Sequence, residues 1–278
     1  MKERTTPFII DNLRGNKQFP TVWCPGCGNG VVLSSIVRAI NKLGIDKNYV
    51  TLVSGIGCSG RLPAYVDVNT VHTTHGRALA YATGIKLAKP EMEVIVVMGD
   101  GDSLAIGGNH FIHTARRNIE LTAIIINNRI YGMTGGQYSP ATPTGSISTT
   151  SSYGNIDQPF DISKMAEVAG AGFVARSTVY HVAEVQKFIE KGIEKKGFSV
   201  VEILSNCHTY YGRMNKIKGP VDLLNYFKDN TALNTTNIQG NEDKIQRGIF
   251  VDRDVKGFIE EYENVIVKAR RQKKYSRT

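Results

Sequence analysis

An α/β fold, a parallel sheet flanked by helices, is predicted by three observations on this chain. Short apolar runs rich in β-branched residues recur along it, helical periods lie between them, and the runs show no polar alternation, as strands buried on both faces require. In chain order, residues 31–43 read as a helix with Val32, Ile36, Ile40 and Leu43 on one face. YVTLVSGIG at 49–57 reads as the first strand. An alanine-rich helix over 76–88, framed by Leu79, Ala82 and Lys86, leads to a second strand, EVIVVMGDG at 93–101. Gly107 and Gly108 open the next helix, and ELTAIIINN at 120–128 is a third strand. The stretch 134–160 is rich in Gly, Ser, Thr and Pro without apolar period, and reads as a long irregular loop, functional or mobile. More strand and helix elements follow, with Val182, Val185, Ile189 and Ile193 as a helical stripe before the strand FSVVEIL at 198–204. Beyond Cys207 the pattern changes: residues 212–253 are polar and Asn-rich, and 254–274 form a charged amphipathic helix candidate. We therefore expect one domain over 1–207 and a C-terminal extension over 208–278 that contacts another subunit. No internal repeat is present.

The 278 residues, 41% hydrophobic, suffice for a full core. The opening MKERTTPFIIDNLRGNKQFP has no apolar stretch of signal-peptide length, and no window approaches the ~20 apolar residues of a membrane span. A cytoplasmic protein without a membrane partner is expected. The net charge of +9 is concentrated: Lys268, Arg270, Arg271, Lys273, Lys274 and Arg277 fall in an acid-free end, and without them +3 remains. That is a solvated basic tail, or one that steers an acidic protein partner in a salt-dependent way. Neither reading calls for nucleic acid. Cys24, Cys27, Cys58 and Cys207 are too few and too unevenly spaced for a disulfide-stapled secreted scaffold, and read better as thiol ligands.

The sharpest local signal is Trp23-Cys24-Pro25-Gly26-Cys27-Gly28. A Cys-x-x-Cys pair brings two thiolates to one soft metal centre, and the glycines let backbone N–H groups turn toward sulfur. By itself it leaves zinc, a thioredoxin-like pair and an iron–sulfur cluster open. Cys58 and Cys207 each follow an expected strand, which sets both at carboxyl ends of parallel strands, where α/β sheets hold their ligands. Four thiolates would complete a cluster. The second constellation is Gly99-Asp100-Gly101-Asp102 at one strand end and Asn127-Asn128 at another. A carboxylate and an amide oxygen on adjacent strand ends can share a hard cation with a backbone carbonyl. Magnesium fits that set and normally accompanies phosphates, which the glycine at 101 and the following helix N-terminus would admit.

Gly-Asp-Gly followed at this interval by Asn-Asn resembles the thiamine diphosphate motif. Together CPGCG, IGCSGR, HTTHGRA, GDGDSLAIGGNH and NNRIYGMTGGQ resemble the β subunit of 2-oxoacid:ferredoxin oxidoreductases, collinearly from Trp23 to about Pro143, with Cys207 as an outlying anchor. The resemblance implies that Asp100, Asn128 and the carbonyl of Ile130 hold Mg2+, and that Gly101, Asp102, Gly132 and Met133 border the diphosphate. It implies that Ile56, Gly57, Cys58 and Ser59 line thiamine, that His75, in a motif shared with Arg77, handles protons or holds the 2-oxoacid carboxylate, and that Cys24, Cys27, Cys58 and Cys207 ligate a [4Fe–4S] cluster. Cys58 would then join the two cofactors. Coenzyme A would take the acyl group and ferredoxin the electrons. No Glu lies in a motif able to activate the aminopyrimidine, so an α subunit is expected to supply that glutamate. Arg61 is the candidate for a distal substrate carboxylate, held bidentately, which favours 2-oxoglutarate over pyruvate or a broad 2-oxoacid range. A non-redox thiamine decarboxylase or synthase would need Asp100 and Asn128 without the cysteines. A zinc or electron-transfer module would need the reverse.

Overall fold

A computed structural model describes residues 7–15, 20–217, 219–235 and 243–275. The chain runs through α1 (Pro7–Asp11), α2 (Asn29–Lys42), β1 (Val50–Ser54), β2 (Asn69–His72), α3 (Ala78–Ala88), β3 (Glu93–Gly99), α4 (Gly108–Arg117) and β4 (Thr122–Asn127). A hairpin of β5 (Ile130–Tyr131) and β6 (Gln137–Tyr138) precedes α5 (Ile162–Ala169), β7 (Phe173–Thr178), α6 (Val182–Glu194) and β8 (Ser199–Leu204). Then come α7 (Pro220–Asp229), β9 (Thr231–Leu233), β10 (Ile245–Asp252) and α8 (Phe258–Tyr275). Eight strands form one sheet in the order β2-β1-β3-β4-β8-β7-β10-β9. Every pairing from β2 across to β7 is parallel, while β10 runs antiparallel to β7.

The unbroken apolar runs become the central strands because a strand covered on both faces has no side for polar residues. All residues of β1, β4 and β8 are buried. One face is covered by α2 and α6, whose Val32, Ile36, Ile40, Phe188 and Ile189 pack on Leu52, Ile95, Ile124 and Ile203. The other is covered by α3, α4 and α5, with Leu79, Phe111 and Ile162 against Val94, Val96, Ile125 and Val200. Of the expected stripe on α6, Val185, Ile189 and Ile193 are buried, whereas Val182 stays 43% exposed at the helix start.

Two segments read from sequence as irregular or peripheral are fastened to this frame. Residues 134–160 begin inside the hairpin and are then held by short-range bonds: Thr142 Oγ1 donates to Arg129 O (2.6 Å), and Asn155 Nδ2 donates to Thr142 O (2.9 Å). Beyond Cys207 the sheet continues, since β10 adds to β7 through a bulge between Ile249 and Val251 and β9 adds to β10. That bulge and the mixed composition of IQRGIFVD hide the period of two. Phe227 of α7 reaches the core beside α2 and α6. The basic end projects from α8, where Lys268, Arg270 and Arg271 are exposed; the side chains of Lys273 and Lys274, and Arg277, lie outside the described residues. No helix among the described residues is long and apolar enough to cross a membrane.

One charge in this frame is set against its surroundings. Burial pushes the Glu93 carboxyl at the start of β3 up to about 7, outweighing the opposing pull of the Lys86 charge. Below its ordinary value of 4.5 the group is protonated folded or unfolded and costs nothing. Between about 4.5 and 7 only the unfolded chain ionises, so a destabilising contribution grows, and above 7 it is complete. Glu93→Gln is therefore expected to raise the melting temperature at pH 8 and leave it unchanged at pH 4. Equal shifts at both pH values would assign the effect to packing.

Candidate active site

The chain leaves β1 toward β2 and returns on the other side of β1 as β3, so the winding reverses between β1 and β3. At such a reversal the loops leaving the carboxyl ends diverge and open a crevice. A cavity of about 260 Å³ lies there. Ile56, Gly57, Cys58 and Ser59 line it from the loop after β1, and His75 from the loop before α3. Asp100, Gly101 and Asp102 line it from the end of β3, and Asn128, Ile130, Gly132 and Met133 from beyond β4. Twelve residues expected at one site thus share one cavity. Arg61 does not: it is exposed on the turn Ser59–Ala64 and is absent from the lining.

The two halves of the oxygen-rich end are brought together by strand register, with Gly99 of β3 opposite Ile126 of β4. Asp100 is 3% exposed, accepts from Ser139 Oγ (2.5 Å), and has the backbone N–H groups of Gly101 and Arg129 turned toward it. Burial still pushes its carboxyl up to about 6. A buried carboxylate short of positive charge, with the Asn128 amide and Ile130 lining the same cavity, is a donor set that a hard divalent cation can complete. Asn128 Oδ1 also accepts from Ile130 N (3.2 Å), closing a tight turn that presents both residues to the cavity. Asn127 anchors that turn from behind: its Nδ2 donates to Glu202 Oε1 (2.9 Å) and its Oδ1 accepts from Arg129 N (3.2 Å), whose φ is 65°. Glu202 in turn accepts from Ser163 Oγ and Arg176 Nε, both at 2.7 Å. The Asn-Asn pair therefore divides its work, one side chain holding the scaffold and one facing the cavity.

Asp102 binds loops to each other. Its Oδ1 accepts from Gly76 N (2.7 Å) and Ile56 N (3.3 Å) and lies 2.7 Å from His75 Nδ1. Gly55 must lack a side chain here, because a Cβ would stand 1.9 Å from Asp102 Oδ2. Gly101 is equally constrained, since a Cβ on it would stand only 2.1 Å from the Tyr131 ring. Arg77 donates Nη1 to the carbonyl of Ile106 (3.1 Å), so it ties the His75 loop to the turn that follows Asp102.

The four cysteines line a second, smaller cavity of about 60 Å³. Cys24 is exposed, while Cys27, Cys58 and Cys207 are half-buried and all four are free thiols. Burial, then the other cysteines, push Cys58 up to about 12, and burial also raises Cys27 and Cys207. Backbone N–H groups oppose this at three sulfurs: those of Tyr210 and Tyr211 at Cys207, that of Asn29, the first residue of α2, at Cys27, and that residue's own at Cys58. Thiols crowded in this way become thiolates only around positive charge. Among the described residues no three His, Cys, Asp or Glu side chains converge to chelate a single ion. Four thiols lining one pocket are a donor set that suits soft metal chemistry.

The two cavities share a wall made of Cys58, Asn128, Gly132 and Met133. A Cβ at Gly132 would sit 3.4 Å from Cys207 Sγ and 3.7 Å from Cys58 Sγ, so a side chain there would come into van der Waals contact with both thiols. Trp23 braces the wall by donating Nε1 to Cys58 O (2.7 Å). Sequence reasoning did not find Ser139, Tyr131, Asn29 or Glu202. Ser139 lies in a stretch without period, Tyr131 between motif residues that draw the attention, Asn29 just ahead of the helix read over 31–43, and Glu202 in a strand read for its apolar run.

Residues 55–203 match the family model described as thiamine pyrophosphate enzyme, C-terminal TPP binding domain. A protein from Archaeoglobus fulgidus named 2-oxoglutarate synthase subunit KorB is 56% identical over 220 residues, covering 79% of this chain and 80% of that protein. One of the same name from Methanocaldococcus jannaschii is 49% identical, covering 90% and 94%. Among solved structures, a chain of the 2-oxoglutarate:ferredoxin oxidoreductase from Magnetococcus marinus, with 2-oxoglutarate, coenzyme A and succinyl-CoA bound, superimposes with a TM-score of 0.84 at 30% identity. That match covers 96% of this chain and 92% of the other.

Proposed function

Because the chain belongs to the family of 2-oxoacid:ferredoxin oxidoreductase β subunits, we propose that it forms the cofactor-holding half of an active site that oxidatively decarboxylates 2-oxoglutarate, with coenzyme A and ferredoxin as co-substrates. The observation that carries this reading is the wall of Cys58 and Gly132 common to the cofactor cavity and the thiol pocket. A thiamine enzyme without redox chemistry has no use for four thiols at that wall, and a zinc module has no use for the buried Asp100.

In this reading Asp100, Asn128 Oδ1 and the Ile130 carbonyl hold Mg2+, Gly101, Gly132 and Met133 border the diphosphate, and Ile56 to Ser59 line the thiazolium end. Thiamine diphosphate supplies an electron sink for loss of carbon dioxide, and a [4Fe–4S] cluster on Cys24, Cys27, Cys58 and Cys207 accepts single electrons. Asp102 fixes the Ile56 and His75 loops against each other, which pre-sets the distance between their side chains. With Nδ1 against Asp102, His75 leaves Nε2 for a substrate proton or carboxylate. An α subunit supplies the activating glutamate; Ile156 (89% exposed), Tyr153 and Phe160, apolar and outward on the loop after β6, are surface suited to such a partner.

Anaerobic co-purification with the α subunit, followed by iron analysis and a substrate panel, tests the reading. About four irons per chain and coenzyme A-dependent reduction of ferredoxin by 2-oxoglutarate are expected; zinc in place of iron, or turnover without an electron acceptor, would overturn it. On the same panel Arg61→Ala is expected to lower the 2-oxoglutarate-to-pyruvate preference by about 10- to 100-fold, the worth of a charged hydrogen bond of roughly 1.5–3 kcal/mol. An unchanged ratio assigns Arg61 to the exposed surface on which it stands.

A further inference from the structure

We infer that Asn29 tunes the reduction potential of the cluster through a hydrogen bond from its side-chain amide to Cys27 Sγ. This rests on the proposed cluster and goes beyond it by giving a named residue a redox role.

Asn29 is 2% exposed at the first position of α2. Its Nδ2 lies 3.4 Å from Cys27 Sγ, and its Oδ1 is buried with no hydrogen-bond partner. Burying an amide with its carbonyl unanswered is unfavourable, and a neutral thiol is a weak acceptor that offsets little of that. A thiolate offsets far more, because a bond to a charged acceptor is markedly stronger than one to a neutral group. The side chain therefore suits the charged, metal-bound state of Cys27. The opposite amide orientation would press a carbonyl oxygen against that charge, so the donor must face the sulfur.

Among the described residues this is the one side-chain amide hydrogen-bonded to a thiol; Asn206 nearby donates instead to the Gly26 carbonyl (2.8 Å). The backbone N–H groups that face Cys27 and Cys207 are fixed by the fold, whereas Asn29 is an adjustable part of the same set. Reduction adds an electron to the cluster and its thiolates, and an N–H directed at a ligand sulfur favours the reduced form. Asn29 accordingly holds the potential higher than it would otherwise be, which favours transfer of electrons from the thiamine side into the cluster.

The test is a redox titration of the anaerobically purified complex followed by electron paramagnetic resonance, on wild type, Asn29→Ala and Asn29→Asp. Alanine removes the donor, and aspartate keeps the size while placing an anion at the sulfur. The midpoint is expected to fall in the order wild type, Ala, Asp. At the wild-type midpoint the reduced-to-oxidised ratio should drop by up to about tenfold, a shift of about 59 mV for a one-electron couple. Full clusters with an unchanged midpoint in both variants overturn this inference alone. Loss of the cluster from both, with circular dichroism unchanged, also overturns it and makes Asn29 an assembly residue. A wild-type complex without iron overturns the proposed function first.

Discussion

Replacing Asp100 with alanine is expected to abolish thiamine diphosphate binding at working magnesium concentrations, with affinity reduced by at least about 100-fold. Loss of a residue that only supports a metal ligand typically costs about 10- to 100-fold in metal affinity, so removal of the proposed charged ligand itself lies at or beyond that upper end. The local geometry adds to the loss. Ser139 Oγ, at 2.5 Å, and the Gly101 N–H would lose this carboxylate as acceptor inside a buried space, whereas the Arg129 N–H keeps Asn127 Oδ1 at 3.2 Å. Asp100→Asn separates the two contributions, since it retains an oxygen for Ser139 while removing the charge; it should bind cofactor better than alanine and worse than wild type. Equilibrium dialysis with labelled cofactor reads the affinity, and iron content should stay at the wild-type level because no sulfur is touched. Wild-type affinity in the alanine variant would remove Asp100 from the magnesium site.

The fold was legible where complete burial came with an unbroken apolar run; β7, just as fully buried, is hidden by its Arg176, Ser177 and Thr178. β1, β3, β4 and β8 announce themselves because their residues face apolar neighbours on both sides. β2, with the sequence NTVH and two exposed residues at the sheet edge, carries no such run, and the two-residue strands of the hairpin are too short to have a period. β10 breaks its own alternation at a bulge. The site was legible where chemistry forces residue type, as with four cysteines or an Asp and an Asn at strand ends. It was silent where a residue acts through another. Glu202 sits in an apolar-looking strand, yet it holds Asn127, which holds the turn presenting Asn128. Such a relay leaves no spacing to recognise, because its members come together only when β4, β7 and β8 are laid side by side.

Cys58→Ser is expected to separate the two proposed cofactors. Its oxygen is a poor ligand for iron, so iron content should fall and ferredoxin-linked turnover should drop to the background of the iron-free protein. Thiamine diphosphate affinity should change by no more than about threefold, because serine leaves the backbone of the loop, and the bond from Trp23 Nε1 to the carbonyl at position 58, in place. Cys24→Ser offers the contrast. Cys24 lies at the exposed side of the thiol pocket and is absent from the cofactor cavity, whereas Cys58 lines both. A serine at 24 that still assembled a damaged cluster would keep the shared wall intact and should retain more turnover than the same change at 58. Equal losses at both positions would mean that the cluster matters as a whole, with no special role for the thiol at the wall. If Cys58→Ser kept both its iron and its turnover, electrons would have to leave the cofactor cavity by another route, and the shared wall would be a packing coincidence.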